Sequence, residues 1–154
     1  MVNLFNEDFR EFIQFLNNND VEYLLVGGYA VILHGYIRST GDMDVWVNKT
    51  ADNYIKLVKA LQQFRVPIIS KKEFLGNEFD VWGFGKEPNR IEIMNHVKGI
   101  EFTDAFEKSN IYQDNDLSIR FIHLNHLLIA KEAAGRYKDK NDIEQLTIKN
   151  KINL

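Results

Sequence analysis

Two aspartates one residue apart, Asp42 and Asp44, lie in the segment Asp42-Met43-Asp44-Val45-Trp46-Val47. Alternation of this kind predicts a strand, in which successive side chains point to opposite faces. Met43, Val45 and Val47 then face the core. The two carboxylates leave the other face about 6 to 7 Å apart along the backbone. At that spacing they can converge on Mg²⁺, a hard cation held by one or two carboxylates together with substrate phosphates and water. Two such ions about 3.5 to 4 Å apart activate an attacking oxygen and stabilise a leaving one during in-line displacement at phosphorus. That is the chemistry of nucleotidyl transfer. An Asp-x-Asp by itself is more often an acidic strand face turned to water, so the pair carries weight only in combination.

The combination starts upstream. Gly27-Gly28 follows the apolar run Val21 to Val26 and precedes a helical pattern, Tyr29-Ala30-Val31-Ile32-Leu33-His34. Without a Cβ the backbone can approach a ligand closely, and helix amides there can face phosphate oxygens. Arg38 and Thr40 come just before the acidic strand, where they can pair with a phosphate and orient a carboxylate or the loop. Lys131, Arg136 and Lys138 could complete a cationic wall around a triphosphate.

In order, Val26-Gly27-Gly28-Tyr29-Ala30, His34-Gly35 and Arg38-Ser39-Thr40-Gly41-Asp42-Met43-Asp44 resemble the signature of the DNA polymerase β-type nucleotidyltransferase superfamily. The chain is particularly similar to the small bacterial group related to the AbiEii toxins and the minimal nucleotidyltransferases. Leu128-Ile129-Ala130-Lys131 and Gly135 to Asp142 extend the likeness into that group's terminal helical segment. The resemblance implies a mixed-sheet core flanked by helices, a glycine-rich turn for a nucleoside triphosphate such as ATP, and Asp42 and Asp44 as ligands for Mg²⁺ or Mn²⁺. It further implies transfer of AMP or another NMP to a protein, RNA or small-molecule acceptor. A tRNA acceptor, a toxin-antitoxin setting and a cognate antitoxin come from the same source. The superfamily supplies a third carboxylate from a neighbouring strand, which maps best onto Glu92 in Arg90-Ile91-Glu92-Ile93-Met94, either as a further metal ligand or as the base that accepts the proton of the acceptor hydroxyl. Asp80, on the preceding predicted strand, is the alternative. The match also favours Lys131 among the cations. The competing reading is a catalytically silent domain of the same fold that binds a nucleotide or a protein, since a fold does not guarantee turnover.

The elements that would hold these residues follow from periodicity. Phe5, Phe9, Phe12, Ile13, Phe15 and Leu16 recur at helical spacing up to the break at Asn17-Asn18-Asn19-Asp20. Thr50 or Asp52 can cap a helix whose apolar stripe is Ile55, Leu57, Val58, Leu61 and Phe64. Phe79–Phe84 and Arg90–Met94 read as strands around a turn-like Gly85–Asn89. Ile111-Tyr112 and Leu117–Phe121 flank Gln113–Asp116 as a hairpin. Two helices follow, one from about His123 to Ala134, ending at Gly135, and one from about Asp139. Asp139 is expected to cap the second, with Asp142 in its first turn. His123 and His126, three apart, lack the third ligand of a zinc site. Trp46 and Trp82 fit core positions better than base-stacking ones.

The 154 residues, 45% hydrophobic and 27% charged, suit one folded nucleotidyltransferase-like domain over 1–154, α+β or loosely α/β in class. A net charge of −3 argues against a broad nucleic-acid groove, though not against a local basic patch. With no cysteine, disulfides, thiolate metal sites and thiol nucleophiles are excluded. The start, Met1 to Asp8, has no basic segment followed by an apolar one, and no stretch is long enough to span a bilayer, so a cytoplasmic location is expected.

Overall fold

A computed structural model describes residues 4–151. Met1, Val2 and Asn3, the start of the segment read for a leader, lie outside the described residues. The helices are α1 (Glu7–Asn18), α2 (Gly27–Leu33), α3 (Ala51–Phe64), α4 (Lys71–Phe74), α5 (Phe102–Glu107), α6 (Leu124–Ala134) and α7 (Tyr137–Asn150). The strands are β1 (Tyr23–Val26), β2 (Asp42–Val47), β3 (Val81–Phe84), β4 (Arg90–Met94), β5 (Asn110–Asp114) and β6 (Leu117–Phe121). They form one mixed sheet in the order β3-β4-β2-β1-β6-β5. β2 runs antiparallel to β1 and parallel to β4, and β1 runs parallel to β6. The hairpin β5-β6 and the antiparallel pair β3-β4 complete the two edges. The expected α+β arrangement, with helices finishing the chain, is present.

Apolar side chains cover both faces of the sheet. On one face Met43, Val45, Val47, Ile91 and Ile93 pack with Phe9, Phe12 and Leu16 of α1 and Leu57 and Leu61 of α3, all buried. On the other, Leu24, Val26 and Trp46 meet Phe102, Leu127 and Leu146 from α5, α6 and α7. Trp46 is buried on the aspartate side, edge-on to Phe102, because helices roof that end of the sheet. The carboxylates at the other end of β2 are thereby left only partly covered.

Several elements depart from the sequence expectation. Gly27 and Gly28 are the first two residues of α2 rather than a turn before it, so β1 runs directly into the helix. Ile55 is 55% exposed, and its place in the α3 stripe goes to Asn53. That amide is buried because it bonds the Glu22 and Asn48 carbonyls at 3.0 and 2.8 Å and takes the Glu22 amide at 2.8 Å. Phe79 and Asp80 precede β3, and Asp80 is tied off by Asn95, whose side-chain oxygen accepts its amide at 3.1 Å. α4 and α5 were not anticipated. The first begins at a Ser70-Lys71-Lys72-Glu73 signal in which Ser70 accepts the Glu73 amide at 3.1 Å. α7 starts at Tyr137 and Asp139 caps it from the third position, accepting the Arg136 amide at 3.2 Å. Among the described residues no helix is long and apolar enough to cross a membrane.

Candidate active site

The register of the three central strands assembles the acidic residues. Asp44 lies beside Val26 of β1 on one side and Glu92 of β4 on the other, and Asp42 lies beside Arg90. Strand alternation then puts Asp42, Asp44, Arg90 and Glu92 on one face, because Met43, Ile91 and Ile93 face the other core. One carboxylate oxygen from each of Asp42, Asp44 and Glu92 can lie within 4.8 Å of the others. Asp80 stands apart: it is level with Asn95, whereas Glu92 is level with Gly83 on β3. Glu92 accepts from Arg90 Nε at 3.1 Å. The Arg90 guanidinium lies over Gly83, where any side chain would collide with it.

Gly27 follows directly on the residue paired with Asp44. Its φ of +67° lies in the left-handed region, and a Cβ there would run into the Asp44 carboxylate. A Cβ on Gly28 would meet the Thr40 side chain, with Arg38 Nη1 at 3.3 Å. The two glycines therefore let the start of α2 close onto the acidic strand and the loop before it. The Thr40 hydroxyl points to the Asp42 carbonyl at 3.4 Å.

Burial pushes the Asp44 carboxyl up to about 6, with the neighbouring charges of Glu92 and Asp42 adding to the effect and Lys138 and Lys131 opposing it. Asp42 Oδ1 is buried with no hydrogen-bond partner. Three mutually repelling carboxylates, one with an orphaned buried oxygen, form a donor set that suits a hard divalent cation. Mg²⁺ or Mn²⁺ bound there would supply charge neutralisation for phosphate oxygens and an activated attacking oxygen.

The cations sit differently from one another. Arg38 is bidentate to Asp142, at 2.8 and 2.9 Å. The Lys131 side chain is only 6% exposed, and its Nζ lies 3.1 Å from Asp139 and 2.9 Å from Asp142. Arg136 forks onto Asp139 at 2.7 and 3.2 Å, with much of its side chain in solvent. Asp139 and Asp142 are fully buried. Burial raises both, but hydrogen bonds from Arg136 and Lys131 to Asp139, and from Arg38 and Lys131 to Asp142, outweigh it and hold both carboxyls below their ordinary value. Three cations and two carboxylates thus join α6 and α7 to the loop before β2. Arg38 and Lys131 already have buried counter-charges, whereas Lys138 is exposed and near enough to Asp44 to stabilise its charge.

Next to the carboxylates is a cavity of about 300 Å³, between the sheet and the C-terminal helices. Gly27, Asp44, Glu92, Lys131, Arg136 and Asp139 all line it. The structure brings Asp42, Asp44, Glu92, Gly27, Gly28 and Thr40 together, and keeps Arg38 and Lys131 in the supporting ion-pair layer. Sequence reasoning passed over Arg90, although Arg90-x-Glu92 on a predicted strand put both on one face. It also passed over Glu87, whose carboxylate lies where a Gly41 side chain would project. His123 takes up the Asn125 amide at 3.0 Å as the cap of α6, which accounts for its position at the helix start.

A family model described as "Nucleotidyltransferase of unknown function (DUF6036)" matches residues 4–154. Two solved structures share the fold. One, TM1012 from Thermotoga maritima, is 14% identical over 88% of each chain with a TM-score of 0.59. The other is the lincosamide antibiotic adenylyltransferase LnuA with lincomycin bound, 15% identical over 95% of this chain and 98% of that one, with a TM-score of 0.57. No curated protein matches the chain in sequence.

Proposed function

Since the chain belongs to the DUF6036 family of nucleotidyltransferases, we propose that residues 1–154 act as one Mg²⁺-dependent domain that transfers an NMP group from a nucleoside triphosphate, ATP first among the candidates. The observation that carries this reading is the meeting of Asp42, Asp44 and Glu92 on neighbouring strands beside a cavity. Asp42 and Asp44 would hold the cation, which would neutralise phosphate charge there. Gly27 and Gly28 keep the approach to Asp44 free of side chains. Lys138 and the exposed part of Arg136 meet phosphate charge, while Arg38 and Lys131 fix the frame behind them. Thr40 steadies the Asp42 backbone. Glu92 faces the acceptor and takes its hydroxyl proton, and Arg90 holds the Glu92 carboxylate in place.

Calorimetric titration of ATP with and without Mg²⁺ tests the reading. Triphosphate oxygens and these carboxylates repel one another unless a cation lies between them. Binding should therefore need Mg²⁺ in the wild type and fall at least about tenfold in Asp42→Asn. Equal affinity in all arms would remove the metal bridge.

A further inference from the structure

The cavity beside the acidic residues is walled mainly by apolar groups. Val81 and Met94 come from the sheet, and Val97, Ile122, Leu127 and Ala130 close the other sides. Phe79 and Val81 also line it while remaining 55% and 45% exposed, so the rim itself is apolar. Single exposed apolar residues are commonplace, but two on the lip of one cavity mark a place where something apolar enters. The polar lining consists of charged residues alone: Asp44, Glu92, Asp139, Lys131 and Arg136. Glu92 is already paired with Arg90, and Asp139 with Lys131 and Arg136, and no Asn, Gln, Ser or Thr side chain in the lining is left to read the edge of a nucleobase. The volume of about 300 Å³ is that of roughly ten waters and lies at the small end of ligand pockets. An RNA end needs an open track with cations along it, and this chain carries a net charge of −3. A protein segment would pair along a free edge such as that of β3, outside a pocket this small, and the peptide probe below tests that route.

We infer that this cavity holds the acceptor, and that the acceptor is a compact small molecule presenting one hydroxyl on an apolar body. The inference rests on the nucleotidyl-transfer reading of Asp42, Asp44 and Glu92, and it selects among acceptor classes. In the step it implies, the acceptor hydroxyl oxygen attacks the α-phosphorus of the nucleoside triphosphate. The new O–P bond forms as the bond from that phosphorus to the bridging oxygen breaks. Pyrophosphate leaves with the electron pair, and the hydroxyl proton passes to Glu92. The apolar walls orient the body of the acceptor and exclude water, which would otherwise compete as the nucleophile.

Saturation-transfer NMR on the full chain with Mg²⁺ and α,β-methylene-ATP, which cannot react, tests this. The probes are naphthol and cyclohexylmethanol, set against a serine-containing tetrapeptide and a short RNA with a free 3′ hydroxyl. The alcohols should bind the wild type, and at least about tenfold more weakly to Ala130→Phe, which fills the cavity. Val81→Trp does the same from an exposed rim position where the fold tolerates bulk, and melting curves confirm that each variant is folded. Affinity for the ATP analogue should change less than about twofold in both. Loss of analogue binding in the folded filled variants would show that the cavity holds the nucleoside and overturn the inference. So would binding of the peptide or the RNA with none of the alcohols. Failure of the analogue to bind the wild type while the alcohols still bind would overturn the acceptor role together with the nucleotidyl-transfer reading beneath it.

Discussion

At neutral pH and without a cation, Asp44 is ionised against its burial and against two neighbouring carboxylates. Its folded pKa of about 6 exceeds the ordinary 3.8, so between about pH 4 and pH 6 the folded protein holds a proton that the unfolded chain has released. This group's effect is therefore to lower stability as pH rises through that window. Urea unfolding in the presence of a chelator should show the decline, at most about 3 kcal/mol by pH 7 for a shift of this size. Asp44→Asn should flatten it, and adding Mg²⁺ to the wild type should reverse it. Glu92 shares the same cluster but has a different expected role. Glu92→Gln should leave Mg²⁺–ATP affinity within a few-fold while transfer falls by roughly 10²- to 10⁴-fold, the range for general acid–base catalysis. Asp80→Asn, level with Asn95 rather than with the cluster, should retain transfer. Loss in Asp80→Asn with full activity in Glu92→Gln would exchange the two roles.

The elements differ in how far local sequence specifies them. β2 was legible because its alternation is strict: Met43, Val45 and Val47 are fully buried and the aspartates are not. β4 and the β5-β6 hairpin were legible for similar reasons, and with them the face carrying Asp42, Asp44 and Glu92. α5 has no side-chain cap to announce it. The partners of Arg38 and Lys131 were hidden more deeply. Arg38 meets Asp142 across 104 residues, and no local pattern reports a contact of that range. The apolar stripe of α3 was misjudged at Ile55 because a buried amide, Asn53, satisfies two carbonyls from other segments. The ion-pair layer that escaped notice has a measurable weight. Asp142→Asn leaves Lys131 and Arg38 without part of their buried counter-charge and should cost about 3 to 5 kcal/mol in urea unfolding. Burial opposes the Asp142 charge, but Arg38 and Lys131 hold its pKa below 3.8. Its contribution is thus complete above the ordinary carboxylate range and is lost as pH falls through that depressed value. Acid unfolding of wild type and variant should converge there.

For the molecule as a whole, a ligand that binds only the folded state raises its stability by mass action. Saturation with Mg²⁺–ATP at a hundred times the dissociation constant is worth about 2.7 kcal/mol. For a domain of this size that corresponds to roughly 5 to 11 °C in Tm. Differential scanning fluorimetry should show the shift with Mg²⁺–ATP and little with ATP and a chelator. α1 and α3 cover one face of the sheet, while Asp42 and Asp44 lie on the other face, which α5 to α7 roof. The ion-pair layer belongs to the second roof, and its two carboxylates are on α7, the last helix in the chain. During synthesis the glycines, the acidic strand and Glu92 all leave the ribosome before the carboxylates that neutralise Arg38 and Lys131. A nascent chain therefore carries the acidic residues of the candidate site on an unfinished frame until the carboxylates of α7 are in place. A chain truncated before α7 should lose the counter-charges of Arg38 and Lys131 while Asp42, Asp44 and Glu92 stay unchanged.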